Sequence, residues 1–312
     1  MNASRSHCPH TTAFLLVILG FLGLALLPLQ ARERLPMKTI FVGEKKFHQL
    51  VRLAEKHNWR RLPLGERTVT VGRALLGTPY ENFTLEIDDH IESPSVNFEG
   101  MDCWTFFEIS VGFARMLAVK DGNYHPHDLL RMIELDRYRD GYCNGNYLSR
   151  IHYLAEWYAD NERRGLISNP TRRLGGERIS RKCTEMTNMW KHYRYLRNNP
   201  GLRRPMARIE RQVSAMKVYH IPKHKVANIE RHLENGDVVG ITSAYDGGFC
   251  SHVGLIFKDR SGRARFMHAS RDKRQVILDV PISDYLRRYR KHAGIIVGRP
   301  KEVSYRTFAV RR

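Results

Sequence analysis

Residues 236–280, GDVVGITSAYDGGFCSHVGLIFKDRSGRARFMHASRDKRQVILDV, decide the fold class. Asp237 to Thr242, His252 to Lys258, Ala264 to Ser270 and Gln275 to Val280 are short runs rich in Val and Ile, parted by Gly, Asp and Ser turns, and Ala293 to Gly298 follows as a fifth. Such runs predict consecutive antiparallel strands, forming a five-stranded sheet or small barrel.

Upstream the period changes. Apolar residues recur at helical spacing in Glu44 to Trp59, Leu64 to Leu76, Cys103 to Val119, His127 to Leu135 and Tyr147 to Arg164. Only Thr84 to Ile87 reads there as a short strand. Helices first and strands afterwards predict an α+β fold, not an alternating parallel α/β sheet. Between the helical part and the strands, residues 120–235 form a helical and basic insertion.

The strongest helix pattern begins at Cys103, behind Asp102 as its cap. Unpaired N–H groups and the positive end of the helix dipole at that position favour a thiolate, the nucleophilic form. His252 opens one predicted strand and His268 lies in the next, and neighbouring antiparallel strands hold side chains about 5 Å apart across one face. A thiol, a base and a second imidazole to orient the base are the parts of nucleophilic acyl transfer. Each residue alone has a blander reading, the Cys as a buried thiol or disulfide half and each His as a satisfied core or surface residue; their joint occurrence carries the argument.

The chain has 312 residues, with 52 Lys and Arg against 32 Asp and Glu, a formal charge of +20. Its 42% hydrophobic content excludes a disordered chain. The excess is concentrated: Arg163 to Arg211 holds fourteen Lys and Arg against Glu177, Glu185 and Glu210. A charge of this size selects anionic partners. The N-terminus narrows them, because Ala13 to Leu29 is nearly unbroken apolar sequence of 17 residues, with Arg5 before it and the small Ala31 after it. This predicts a signal peptide over residues 1–31, with a retained N-terminal anchor as the alternative. An exported chain, secreted or periplasmic, meets anionic wall and membrane surfaces, not nucleic acid, so the basic segment reads as an electrostatic tether. The competing reading is a solvated surface loop. Four cysteines remain beyond the signal, Cys103, Cys143, Cys183 and Cys250, without a C-x-x-C pair, which argues against structural zinc. Two disulfides are the ordinary expectation outside the cytoplasm; if Cys103 is free, one pair at most can form. Cys143 and Cys183 flank the insertion as one candidate pair. Cys250, two residues before His252, shares its face if that stretch is extended, which makes a Cys103–Cys250 bridge the other.

Six short motifs stand in the chain: Gly77-Thr78-Pro79-Tyr80, Asp102-Cys103-Trp104-Thr105-Phe106-Phe107-Glu108, Ser149-Arg150-Ile151-His152-Tyr153, Gly236-Asp237-Val238-Val239, His252-Val253-Gly254 and the single polar position His268. Together they resemble the NlpC-type papain-like cysteine hydrolases, most closely the N-acetylmuramoyl-L-alanine amidase-like branch. The resemblance covers most of residues 65–300. It implies one cysteine-hydrolase domain over residues 32–312, with a papain-like core and a nucleophile helix packed on the sheet. It implies cleavage of an amide of peptidoglycan or muropeptides by Cys103, His252 and His268, without a metal or other cofactor. The Cys103 N–H becomes a candidate oxyanion donor, and Tyr80, Asp102, Arg150 and Tyr153 become candidate substrate-binding residues. Arg150 and Tyr153 have internal packing and a structural ion pair as their alternative. Trp104 occupies a position that is often small in the wider superfamily, which leaves the shape of the pocket open. The competing functions are a catalytically silent wall-binding or scaffold protein on the same fold, and a papain-like peptidase or acyltransferase with another substrate. A zinc amidase is disfavoured by the lack of an H-E-x-x-H motif.

Overall fold

The structure, a computed structural model, describes Met1 and residues 35–304. Chain contacts separate Met1–Arg32 from Glu33–Arg312, and the second unit carries every element named below. The expected signal segment lies outside the described residues. Among these, no helix is long and apolar enough to cross a membrane.

The principal helices are α1 (Glu44–Lys56), α2 (Leu64–Ala74), α3 (Cys103–Val119), α4 (Pro126–Arg137), α5 (Leu154–Arg163), α6 (Arg203–Ser214) and α7 (Ile282–Arg287). The main strands are β1 (Glu177–Ile179), β2 (Val218–Pro222), β3 (Val238–Ser243), β4 (Cys250–Lys258), β5 (Ala264–Ser270), β6 (Gln275–Pro281) and β7 (His292–Pro300). Helix α3 is apolar on every side, from Phe106, Phe107 and Ile109 to Phe113 and Met116, so it is buried among the other elements.

The fold is mixed α and β with an antiparallel sheet, but the sheet is larger than five strands. Among the described residues it has eight, in the order β1-β2-β7-β3-β4-β5-β6, with Ile167–Ser168 pairing to β7. The fifth expected strand, β7, pairs with β3 and not with its predecessor β6, so the path stays open where a barrel would close. The insertion is not purely helical either, since β1 and β2 extend the sheet beyond β7. One face of the sheet packs under α3 through Val253, Leu255, Met267 and Ala269; the other, with Val239, Ile241, Ile256 and Phe266, packs on Ile282 and Leu286 of α7.

Two local expectations also change. Residues 84–87 form a turn and its exit, following Phe83 at φ 58°, because the chain bends back there instead of extending. Tyr147–Ser149 is a single 3-10 turn separated from α5, since Arg150 bridges Tyr138 and the Ile151 N–H donates to the Arg137 carbonyl at 2.9 Å.

Candidate active site

Helix α3 starts at Cys103 because Asp102 caps it. Asp102 Oδ1 accepts the Thr105 N–H at 2.8 Å, Thr105 Oγ1 accepts the Asp102 N–H at 3.1 Å, and Thr84 Oγ1 donates to Asp102 Oδ2 at 2.9 Å. This reciprocal capping box, with Thr84 on the second carboxylate oxygen, makes Asp102 the residue that holds the start of α3 in place. Cys103 is partly exposed. Its thiol is nevertheless pushed up to about 12, first by burial among neighbouring groups and then by the Asp102 carboxylate, against N–H donors from Val253, Cys103 and Trp104. The expected thiolate is therefore corrected to a neutral thiol. A helix terminus contributes about 0.3–1 kcal/mol to an anion, and desolvation beside a carboxylate exceeds that here.

The Val253 N–H that meets the thiol belongs to the residue after His252, which brings α3 against the histidine strand. His252 Nε2 and His268 Nδ1 lie 2.7 Å apart, with their rings perpendicular. Phe266 stacks on His268 at 4.6 Å, and Tyr285 packs against both imidazoles. Burial first, and then His268, His292 and Lys291, hold His252 well below the usual imidazole range. It is therefore a neutral imidazole. The contact with His268 engages Nε2 of His252, and Nδ1 is its other ring nitrogen. Gly254 permits the close strand approach beside the pair: a Cβ there would stand 2.5 Å from the Met267 carbonyl and 2.9 Å from His268 Cβ.

A bulge sets which way His252 points. Ile241 pairs with His252 whereas Thr242 pairs with Cys250, leaving Ser251 as the extra residue. Such a bulge re-aims side chains, and it sends Cys250 and His252 to opposite faces of the sheet. Cys250 packs near Gly240 and Tyr158, while His252 packs near Phe266 and Tyr285. The shared face expected from an extended stretch is thus corrected. Cys103, Cys183 and Cys250 carry free thiols, and Cys143 Sγ donates to the Glu92 carbonyl at 3.4 Å, so neither candidate bridge is formed.

The other candidates divide. Tyr80 is on the rim of the site: the loop carrying it is pinned by Tyr80 N–H to the Arg274 carbonyl at 2.9 Å, and it bridges Met101. Burial, then the neighbouring Cys103 and Asp102, push its phenol up to about 12. Arg150 is buried at 3% exposure; it donates to Glu86 at 2.6 Å and to the Leu85 carbonyl at 2.7 Å, and lies over the Tyr147 ring. Tyr153 donates to Glu210 at 2.7 Å, deep under the basic segment. Both have internal partners, the packing alternative. Trp104, next to Cys103, is held by its Nε1–H to Glu108 at 2.7 Å, and Glu108 pairs with Arg137.

Sequence reasoning overlooked Tyr285, which covers the imidazoles, and Asp279, whose Oδ2 is 3.6 Å from His268 Nε2. For Asp279 there was a signal, an acidic residue inside the apolar strand Val276-Ile277-Leu278-Asp279-Val280, where Asp is depleted. Among the described residues no group of three or more His, Cys, Asp or Glu is arranged to hold a metal ion.

A capped thiol helix thus lies on an antiparallel sheet, next to a hydrogen-bonded imidazole pair, in a mixed α/β fold. The chain belongs to the AmiA-like family, described as N-acetylmuramoyl-L-alanine amidase-like, which it matches over residues 70–295. Membership makes it a cell-wall amidase-type protein with peptidoglycan as the substrate class. It is similar to the crystal structure of an N-acetylmuramoyl-L-alanine amidase from Bacteroides uniformis, at 27% identity and a TM-score of 0.69 over 77% of this chain and 99% of that one. A Bacteroides fragilis structure, provisionally described as a xylanase, is similar at 28% identity and a TM-score of 0.66 over 74% and 99%. Protein LPG0564 of Legionella pneumophila shares the fold at 18% identity and a TM-score of 0.61 over 84% and 97%. No protein with a curated description matches.

Proposed function

We propose that the protein is an exported, cysteine-dependent amidase with a papain-like, NlpC-type core, cleaving the amide between the lactyl group of muramic acid and L-alanine. The observation that carries this reading is the Cys103 thiol set against the Val253 N–H, one residue from a His252 that is hydrogen-bonded to His268 at 2.7 Å. The thiol gives its proton to His252 Nδ1 as sulfur attacks the lactyl carbonyl carbon. The Cys103 N–H, at the helix start, is the candidate donor to the oxyanion. Collapse breaks the C–N bond, and His252 returns the proton to the leaving L-alanine amine. Water, deprotonated by His252, then hydrolyses the thioester to a carboxylate and restores the thiol. Incubation of purified muropeptides with the protein, in reducing buffer with a chelator, is expected to release a lactyl carboxylate and an L-alanine amine in equal amounts. Release of neither product sinks the enzyme reading, and activity lost to the chelator sinks the metal-free mechanism.

The anionic-surface tether also remains a proposal, sharpened by ion pairing. Arg163 and Arg164 pair with Asp160, Arg194 pairs with Asp89, and Arg203 lies 3.3 Å over the Trp190 ring. Arg204, Arg208 and Arg211 instead project from the exposed side of α6, opposite its buried Met206, Glu210 and Val213, and have no carboxylate partner among the described residues. Three arginines at about 1 kcal/mol each near an anionic surface predict that the triple Gln variant binds isolated sacculi about a hundredfold more weakly at low salt. Unchanged binding with unchanged salt dependence would refute the tether.

A further inference from the structure

The line of polar groups behind the thiol continues past His268. His268 Nε2 is buried and makes no hydrogen bond within 3.5 Å; the Asp279 carboxylate faces it, with Oδ2 at 3.6 Å. Asp279 lies on β6, where Leu278 pairs with Met267 and Pro281 with Arg265, so β6 carries one extra residue opposite Phe266. Bulges next to reactive groups turn side chains out of strand alternation, and this one contains Asp279. Its Oδ1 accepts the Val280 N–H at 2.7 Å and Arg288 at 2.9 Å, which leaves Oδ2, 3.1 Å from the same arginine nitrogen, as the oxygen nearer the imidazole.

We propose that Asp279 is a positioning residue for the amidase reaction proposed above: it holds His268 in the Nε2–H tautomer, so that His268 Nδ1 accepts the His252 Nε2–H and the His252 Nδ1 lone pair is presented to the Cys103 thiol. The proposal rests on that reading of Cys103 and His252. Two proton arrangements satisfy the 2.7 Å contact equally well. In one, His252 donates and keeps a free base nitrogen. In the other, His268 donates from Nδ1, the neutral His252 proton moves to Nδ1, and no base faces the thiol. Nothing at the contact itself separates them, so the choice falls to what lies beyond His268. A carboxylate there favours N–H over a lone pair at Nε2. Its carboxyl is held down to about 2, first by the His268 ring, which at 3.6 Å stands just beyond hydrogen-bond length, and then by the Val280 N–H and Arg288 against burial. When the thiol proton reaches His252, both of its nitrogens carry protons and the positive charge faces a chain ending in an anion. No proton needs to pass to Asp279.

Asp279→Asn tests this with little change of shape. Val280 and Arg288 both donate to the Oδ1 position, so the single carbonyl oxygen of Asn settles there and the amide NH₂ turns toward His268, favouring the wrong tautomer. The expected result is a fall in kcat of about 10²–10⁴-fold, as when a buried orienting carboxylate is removed from a catalytic imidazole, with KM changed less than about twofold. Nitrogen-15 NMR of the imidazoles should show the Nε2–H form for His268 and His252 in the wild type, and its loss from His268 in the variant. A His268 protonated at Nδ1 in the wild type overturns the proposal even if the variant does not fold. So does a folded variant with unchanged kcat or an unchanged tautomer. Should the wild type cleave no muropeptide, the enzyme reading fails, while the NMR result still decides whether Asp279 sets the tautomer.

Discussion

Cys103→Ala is expected to lower kcat/KM on muropeptides by about 10³-fold or more while leaving the fold intact, a loss of roughly 4 kcal/mol in transition-state stabilisation. The fold should survive because Cys103 is partly exposed and α3 is anchored by the Asp102–Thr105 box and not by the sulfur. Cys103→Ser should lose nearly as much. The resting pair is a neutral thiol near 12 with a neutral imidazole, so proton removal accompanies attack, and an alcohol is still harder to deprotonate. The same pairing fixes the pH profile. His252, held low, stays in its base form until well below the usual imidazole value of about 6.5, and the thiol does not ionise until far above neutrality. The rate should therefore be flat from roughly pH 7 to 9 and fall only on the acid side. A preformed thiolate–imidazolium pair would instead lose activity on the alkaline side as the imidazolium deprotonates. An alkaline fall near pH 8, or full activity in Cys103→Ala, would remove the assigned mechanism.

What the sequence made legible was whatever local physics settles. An Asp before an all-apolar run marks where α3 begins, and two histidines in successive strand patterns meet because successive antiparallel strands pair. The rest depended on long-range geometry. Hydropathy of Ala293 to Gly298 marks a strand but not which edge it joins, so its pairing with β3 and not β6 was hidden. Val218 to Pro222 sits in a basic segment and reads as insertion until β7 offers it a partner. A single extra residue, Ser251, reverses the facing of Cys250 relative to His252 without any hydropathy signature. The thiol's ionisation departs from its sequence reading because dipole direction can be read from helix position, whereas desolvation by residues distant in sequence cannot. Arg150 shows the same limit. Its motif suggested a ligand, and its partner Glu86 lies 64 positions upstream.

Glu108→Leu is expected to destabilise the protein by about 3–5 kcal/mol, the cost of leaving one member of a buried ion pair unmatched. Glu108 and Arg137 are both fully enclosed, with Arg137 Nε donating to Glu108 Oε2 at 2.8 Å and a second guanidinium nitrogen donating to Ser95 at 3.0 Å. Burial pushes the Glu108 carboxyl up and Arg137 opposes it, so removing the carboxylate strands a cation in the core. The double variant Glu108→Leu with Arg137→Met removes both charges, and most of the loss should return, since an apolar pair of similar volume escapes the desolvation cost. Urea midpoints at constant m-value measure this. Activity should not return in parallel. Glu108 Oε1 also accepts the Trp104 indole N–H at 2.7 Å, so in the double variant the ring beside Cys103 loses its tether and the pocket wall is free to move. A stable double variant with a raised KM would assign Glu108 two separable tasks, neutralising Arg137 and holding Trp104. Recovery of stability and KM together would show that Trp104 is held by its packing on the Phe107 ring, 6.0 Å away, and not by Glu108.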